Sequence, residues 1–222
     1  MLTASPKWDS LVTKESYQDF RLHVEFNVNK VENAPDPEAD GNSGIYIQKR
    51  YEVQIHNSFG IPEAEYTPSY GGSIYRQKKP DRLVSKKAGE WQSYDIVYRR
   101  PRFSALKKVI TPAVLTVLHN GILVQDHREL VGPTANGSRP PYEAHEDRLP
   151  ISLQDHEHPV RFRNAWYRHL EPLPGETVQY RSPEGEVYRS MPSTPDVIAA
   201  QDDVEHLGVG QKLGLQLGRG HQ

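Results

Sequence analysis

The sequence predicts an all-β domain, an antiparallel sandwich or jelly roll. Three observations carry that expectation. Apolar residues recur at every second position in segment after segment up to residue 171. An Asn-Gly pair, Asn120-Gly121, stands between two apolar runs, the strongest short signal for a hairpin. Strand-like segments do not alternate with helix-like ones, so a parallel sheet with crossover helices is not indicated. Eighteen prolines and 16 glycines in 222 residues supply the turns that short strands need.

Taken in order, residues 19–28 place Phe20, Leu22, Val24, Phe26 and Val28 on one face and Arg21, His23, Glu25 and Asn27 on the other, a half-buried strand. Residues 30–41 form a loop too polar for a core. Ile45 and Ile47, then Tyr51, Val53 and Ile55, mark two further strands with a short connection near Arg50. Residues 61–72 read as a Pro/Gly/Tyr loop, residues 73–75 as a short strand, 78–89 as a basic loop and 91–98 as a strand. The Asn-Gly hairpin spans 114–124, and a loop over 132–150 leads to strands at 151–154 and 160–170. These elements define a domain over residues 1–171. Residues 172–222 read as a Pro/Gly-rich appendage with one short helix, capped by Thr194 with Pro195 in the first turn, striped by Val197, Ala200, Val204 and Leu207, and stopped by Gly208. The last dozen residues are expected to be loose.

Composition narrows the function classes. Apolar residues make up 36% and charged residues 25% of the chain, a globular balance. A formal charge of -2 offers no excess of cations for nucleic acid. No run approaches the roughly 20 apolar residues of a membrane span, so neither nucleic acid nor membrane is expected as a partner. With no cysteine there are no disulfides and no thiolate chemistry. No basic-then-apolar leader is visible at the N-terminus.

Alternate residues of a strand share a face, so parity proposes the site. Glu52, Gln54 and His56 point one way, against Tyr51, Val53 and Ile55; Ser152, Gln154 and His156 share a face as well, and Arg161 and Arg163 oppose Val160 and Phe162. A row of acids, amides, imidazoles and guanidiniums suits a sugar, whose hydroxyls need polar partners while its carbon faces stack on aromatics such as Trp91, Trp166, Tyr46 and Tyr75. The plainer reading is that such rows are the solvated side of an antiparallel sheet. Repeated Gln and His, rather than Lys and Thr, weigh against it, as does the dense run Gln154-Asp155-His156-Glu157-His158. That run has no recognised metal spacing.

Several blocks resemble the 3-keto-disaccharide hydrolase family: Asn42-Ser43-Gly44-Ile45-Tyr46, Tyr51-Glu52-Val53-Gln54-Ile55, Gly72-Ser73-Ile74-Tyr75, Gly89-Glu90-Trp91, Leu118-His119-Asn120-Gly121 and Gly132-Pro133-Thr134. Leu153-Gln154-Asp155-His156 and Pro159-Val160-Arg161-Phe162-Arg163-Asn164 complete the resemblance, which covers residues 11–171. It implies a concanavalin-like jelly roll and cleavage of 3-keto-glycosides, with a carbohydrate as the partner. It also implies export, since members often carry a signal, and an incomplete sheet edge, since members usually begin with further strands. On this resemblance Glu52 or His156 is the base, Arg163 or a bound divalent cation steadies the enolate oxygen, and Asp155 orients His156 or reaches a metal. Asn42, Tyr46, Gln54, Tyr75, Trp91, Gln154 and Asn164 hold the substrate. The rival readings are a non-catalytic sugar-binding module and a conventional glycoside hydrolase on the same fold.

Overall fold

The computed structural model describes residues 2–3, 10–30, 33, 40–137, 139–171, 178–181, 187–190 and 211–217. Two antiparallel sheets face each other across one core. The larger runs in the order β1 (Leu2–Thr3), β12 (Val160–His169), β3 (Phe20–Val28), β6 (Gln92–Arg99), β9 (Val114–His119), β10 (Ile122–Glu129), with β15 (Gln211–Lys212) also paired to β12. The smaller runs β16 (Leu215–Leu217), β2 (Leu11–Thr13), β11 (Ser152–Leu153), β4 (Ser43–Ile47), β5 (Tyr51–Ile55). Two hairpins lie apart, β7 (Arg102–Phe103) with β8 (Val109–Thr111), and β13 (Val178–Arg181) with β14 (Val187–Ser190). The fold is a jelly-roll sandwich. Among the described residues no helix is long and apolar enough to cross a membrane.

The period-two pattern explains the core. Phe20, Leu22, Val24 and Phe26 of β3, Tyr94, Ile96 and Tyr98 of β6, and Leu115 and Val117 of β9 project inward from the larger sheet. Ile45, Ile47, Tyr51, Val53, Ile55, Ile151 and Leu153 meet them from the smaller one. Each such side chain contributes about 1.5–3 kcal/mol on burial, and together they fix which face of each strand is left outward. At the β9–β10 turn Asn120 and Gly121 both take positive φ, 53° and 77°, as a tight two-residue hairpin requires.

The turn between β4 and β5 matters most for the site. Gln48 and Lys49 hold left-handed conformations with φ of 53° and 54°, which cost a non-glycine residue energy. Gln48 is sealed in the core, and its amide offsets that cost. Its Nε2 donates to the carbonyls of Tyr17 (2.9 Å) and Asp147 (2.8 Å), and its Oε1 accepts from the Tyr98 hydroxyl at 2.7 Å. The turn sets Tyr46 opposite Glu52 and Gly44 opposite Gln54. A slip of one residue would send Glu52 into the core.

Some expectations are refined. Residues 73–75 form no strand; Ile74 makes single bridges to Val53 and Lys78. Residues 211–217, expected to be loose, pair instead with β12 and β2 at Trp166–Tyr167 and Leu11–Thr13. On the side of β12 away from β3, β1 and β15 pair with it. The helix read over 194–208 lies outside the described residues.

Candidate active site

Three strands of the smaller sheet make the floor. On its outward face Ser152 stands opposite Tyr46, and Tyr46 opposite Glu52. Past the end of β11 the chain keeps to the sheet: Gln154 donates its N–H to the Gly44 carbonyl at 2.8 Å, and its own carbonyl accepts from Ser43 Oγ at 2.8 Å. Gly44 therefore lies between Gln154 and Gln54 with no side chain of its own. A Cβ there would overlap Glu52 Oε1, so the glycine leaves the space into which the carboxyl group folds.

Above this floor is an open cleft of about 190 Å³, lined by Asn42, Tyr46, Glu52, Tyr75, Gln154 and His156, with Thr134, Ala135 and Asn136 closing one side. It is smaller than the roughly 300–1,000 Å³ of a site that encloses a drug-sized ligand.

Glu52 is the chemical centre. It is 2% exposed, and burial pushes its carboxyl up from 4.5 to about 7, with a hydrogen bond from Tyr46 working the other way. Its Oε2, and Oε1 of Gln154, have no hydrogen-bond partner among the described residues. Burial, followed by the neighbouring Glu52 carboxylate, holds the Tyr46 hydroxyl far above its ordinary range; it stays a neutral donor.

Both backbone groups of Glu52 point to the edge of β5 that faces away from β4, and they build the wall there. Its carbonyl accepts from Tyr75 N–H at 3.1 Å, and its N–H donates to Thr134 Oγ1 at 3.0 Å. Thr134 in turn donates its N–H to the Arg50 carbonyl at 2.7 Å. Gln77 joins the Tyr75 turn to the Thr134 loop, donating Nε2 to the Gly132 carbonyl and accepting from Val131 N–H, both at 3.1 Å. On the opposite rim, past β11, the exposed His156 ring stacks on His158 at 5.9 Å between centroids. Strand parity could not place Thr134, Ala135 and Asn136, which lie on a loop. The block Gly132-Pro133-Thr134 was their signal.

The structure thus gathers Glu52, His156, Asn42, Tyr46, Tyr75 and Gln154, and leaves out five residues expected with them. Arg163 and Asn164 lie on the outer face of the larger sheet, because β12 pairs with β3 there. Arg163 Nε binds Glu25 Oε2 at 2.6 Å, Asn164 Nδ2 binds Glu25 Oε1 at 2.8 Å, and the Arg163 guanidinium covers the Trp91 ring at 3.9 Å. Trp91 belongs to the same cluster, so none of the three borders the cleft. Gln54 is sealed, its Nε2 committed to Asn42 Oδ1 at 3.2 Å and the Ser69 carbonyl at 3.0 Å; it steadies Asn42 from behind. Asp155 is not on the cleft wall, and its Oδ1 accepts from Glu157 N–H at 3.0 Å.

The donor set also bears on the cation expected at this site. Among the described residues no three His, Asp or Glu side chains group to hold a metal ion. The cleft offers one carboxylate, one imidazole and amides, so no step is routed through a metal here. A conventional glycosidase needs two carboxylates about 5–9.5 Å apart, and among the described residues Glu52 is the only acid lining the cleft.

Known structures share this architecture. A Parabacteroides distasonis protein described as a "putative glycosyl hydrolase" is 35% identical, with a TM-score of 0.70 over 76% of this chain and 71% of that one. Two others from the same organism, described alike, are 18% and 20% identical, both with a TM-score of 0.51. They cover 72% and 73% of this chain and 74% and 84% of their own, and they support the fold alone. No curated protein matches the chain. A family model does, over residues 1–168. On that match and the 35% identity, the chain belongs to the family of 3-keto-alpha-glucoside-1,2-lyase-like domains.

Proposed function

We propose that this protein cleaves the glycosidic bond of 3-keto-glycosides, including 3-keto-disaccharides, by elimination across carbons 1 and 2 followed by hydration. The observation that carries the reading is Glu52: a carboxyl group at the floor of an open cleft, brought by burial to about 7, with one oxygen uncommitted. A general base works best when its pKa lies near the operating pH.

A ketone at carbon 3 acidifies the hydrogen on carbon 2. Glu52 takes that proton, and the electron pair of the broken C2–H bond forms an enolate with the carbon 3 oxygen. Collapse of the enolate breaks the bond from carbon 1 to the leaving oxygen. His156, exposed at the rim where a leaving group has room, supplies the proton that this oxygen needs. The product is an enone. Water then adds its oxygen to carbon 1 and gives up a proton to His156, and Glu52 returns the proton it took to carbon 2. Burial divides the two roles between these residues. Asn42, Gln154 and Tyr75 supply hydroxyl partners and a ring face. Tyr46 donates to Glu52 and steers the carboxylate.

The test is to incubate the protein with a 3-keto-disaccharide and with its unoxidised parent. The elimination predicts release of sugar from the keto compound alone, since the parent has no acidified hydrogen. Equal cleavage of both would point to a conventional hydrolase. Binding of either without cleavage would point to a sugar-binding module.

A further inference from the structure

We infer that Thr134 is a further catalytic residue, donating its hydroxyl hydrogen to the carbon 3 oxygen as that oxygen takes up enolate charge. The inference rests on the elimination proposed above. Such a reaction needs a fixed donor where the negative charge gathers. The arginine expected for the task, Arg163, is bound to Glu25 on the other sheet, so the donor has to come from the cleft itself.

Connectivity limits the choice. The carbon 3 oxygen is two bonds from the carbon whose proton Glu52 removes, so its donor must stand beside Glu52. Tyr46 stands there, but its hydroxyl is engaged with the Glu52 carboxylate. The Tyr75 hydroxyl lies toward the exposed mouth, where it accepts from Arg76 Nε at 3.1 Å. Asn136 is exposed at the rim. Thr134 is attached to Glu52 directly: its Oγ1 accepts the Glu52 N–H at 3.0 Å, and the residue lines the cleft. With an acceptor site of Oγ1 filled by that amide, the hydroxyl hydrogen is turned away from it and is free to meet a substrate oxygen.

The loop is also held in advance of binding, which is what makes such a donor effective. Gln77 binds it at two backbone groups, and Thr134 N–H is tied to Arg50. Gly132, at φ of 138°, packs so closely on the Pro140 carbonyl that a Cβ would overlap it. Gly132-Pro133-Thr134 thus carries the donor to the base on a rigid arm.

The experiment compares Thr134→Val and Thr134→Ser with the wild type on a 3-keto-disaccharide, measuring kcat, KM and the pH dependence of the rate. Removing one oxyanion donor costs about 10²–10³ in kcat. Thr134→Val is expected to show that loss with little change in KM and with the rise in rate near pH 7 intact, since Glu52 stays in place. Thr134→Ser, which keeps the hydroxyl, is expected to restore most of the rate. Thr134→Ala serves in place of the valine variant should that one not fold. Undiminished kcat without the hydroxyl overturns the role, as does a displaced pH limb, which would make Thr134 a support for Glu52, or a loss carried by Asn136→Ala instead. A wild type that leaves the keto sugar intact overturns the elimination itself, and this role with it.

Discussion

The outer faces of the two sheets carry similar chemistry and differ in how it is committed. The larger sheet presents Arg21, His23, Glu25, Asp95, Trp91, Arg163 and Trp166. There Arg21 and His23 each reach Asp95 at 3.2 Å, Arg163 reaches Glu25 at 2.6 Å, and the His23 ring stacks on Trp166 at 5.1 Å between centroids. Burial pushes the Glu25 carboxyl up, but bonds from Asn164 and Arg163 and the charges nearby bring it below its ordinary value; His23 and Arg21 do the same for Asp95. The smaller sheet presents Glu52 with no cation beside it among the described residues, and burial raises it. One face has paired its carboxylates, Glu25 and Asp95, within the protein. The other keeps a carboxylate oxygen and an amide oxygen for something from outside. An uncommitted buried carboxylate distinguishes a site from a decorated surface better than composition does.

The largest test of that contrast is catalytic. Glu52→Gln keeps the shape and removes the base, so turnover of a 3-keto-disaccharide is expected to fall by about 10²–10⁴. Arg163→Ala, on the opposite face, is expected to leave turnover unchanged. Stability is expected to separate the faces by sign. Glu52 has a folded value above its unfolded one, so ionising it burdens the fold. The burden is absent below about pH 4.5, grows toward pH 7 and is full above it. Glu52→Gln is therefore expected to be more stable than the wild type above pH 7, by up to about 3 kcal/mol, with the gain gone in acid. Glu25 has a folded value below its unfolded one, so it adds stability above the unfolded value and loses it as pH falls through the folded one. Glu25→Gln is expected to be the less stable variant at neutral pH, with that deficit vanishing in acid. Urea denaturation at a series of pH values reads both slopes.

A smaller effect sharpens the geometry. Gly44→Ala places a methyl group where the Glu52 carboxyl lies. The carboxyl must swing aside, and displacement of about 1 Å from a productive position costs up to roughly 10² in rate. Because the group that yields is the flexible end of a side chain, thermal denaturation is expected to change little while kcat drops.

Much of this was legible in the sequence, for one reason. Period-two burial places residues on faces, so Glu52 on one strand, and Gln154 with His156 on another, could be put on the side away from the core from spacing alone. Arg163 obeyed the same parity and still went astray. Parity tells inside from outside but not which of two sheets a strand joins, and β12 joined the sheet of β3. Gln54 shows a second limit: it points outward from the sheet yet is covered by the 69–73 segment, and a covering loop has no periodicity to read. Thr134 and Asn136 were hidden for that reason too. The left-handed turn at Gln48 and Lys49, which sets the register of the site, carries no glycine to announce it.

Whether a buried Glu52, with one carboxylate oxygen uncommitted among the described residues, titrates near neutrality can be measured without a substrate. Carbon-13 labelled glutamate, followed by NMR across pH 3 to 9, should show one carboxyl resonance titrating at about 7, absent from Glu52→Gln. Should every glutamate carboxyl in the wild type titrate in the ordinary range near 4.5, Glu52 would be solvated or paired and the account of the cleft would be contradicted.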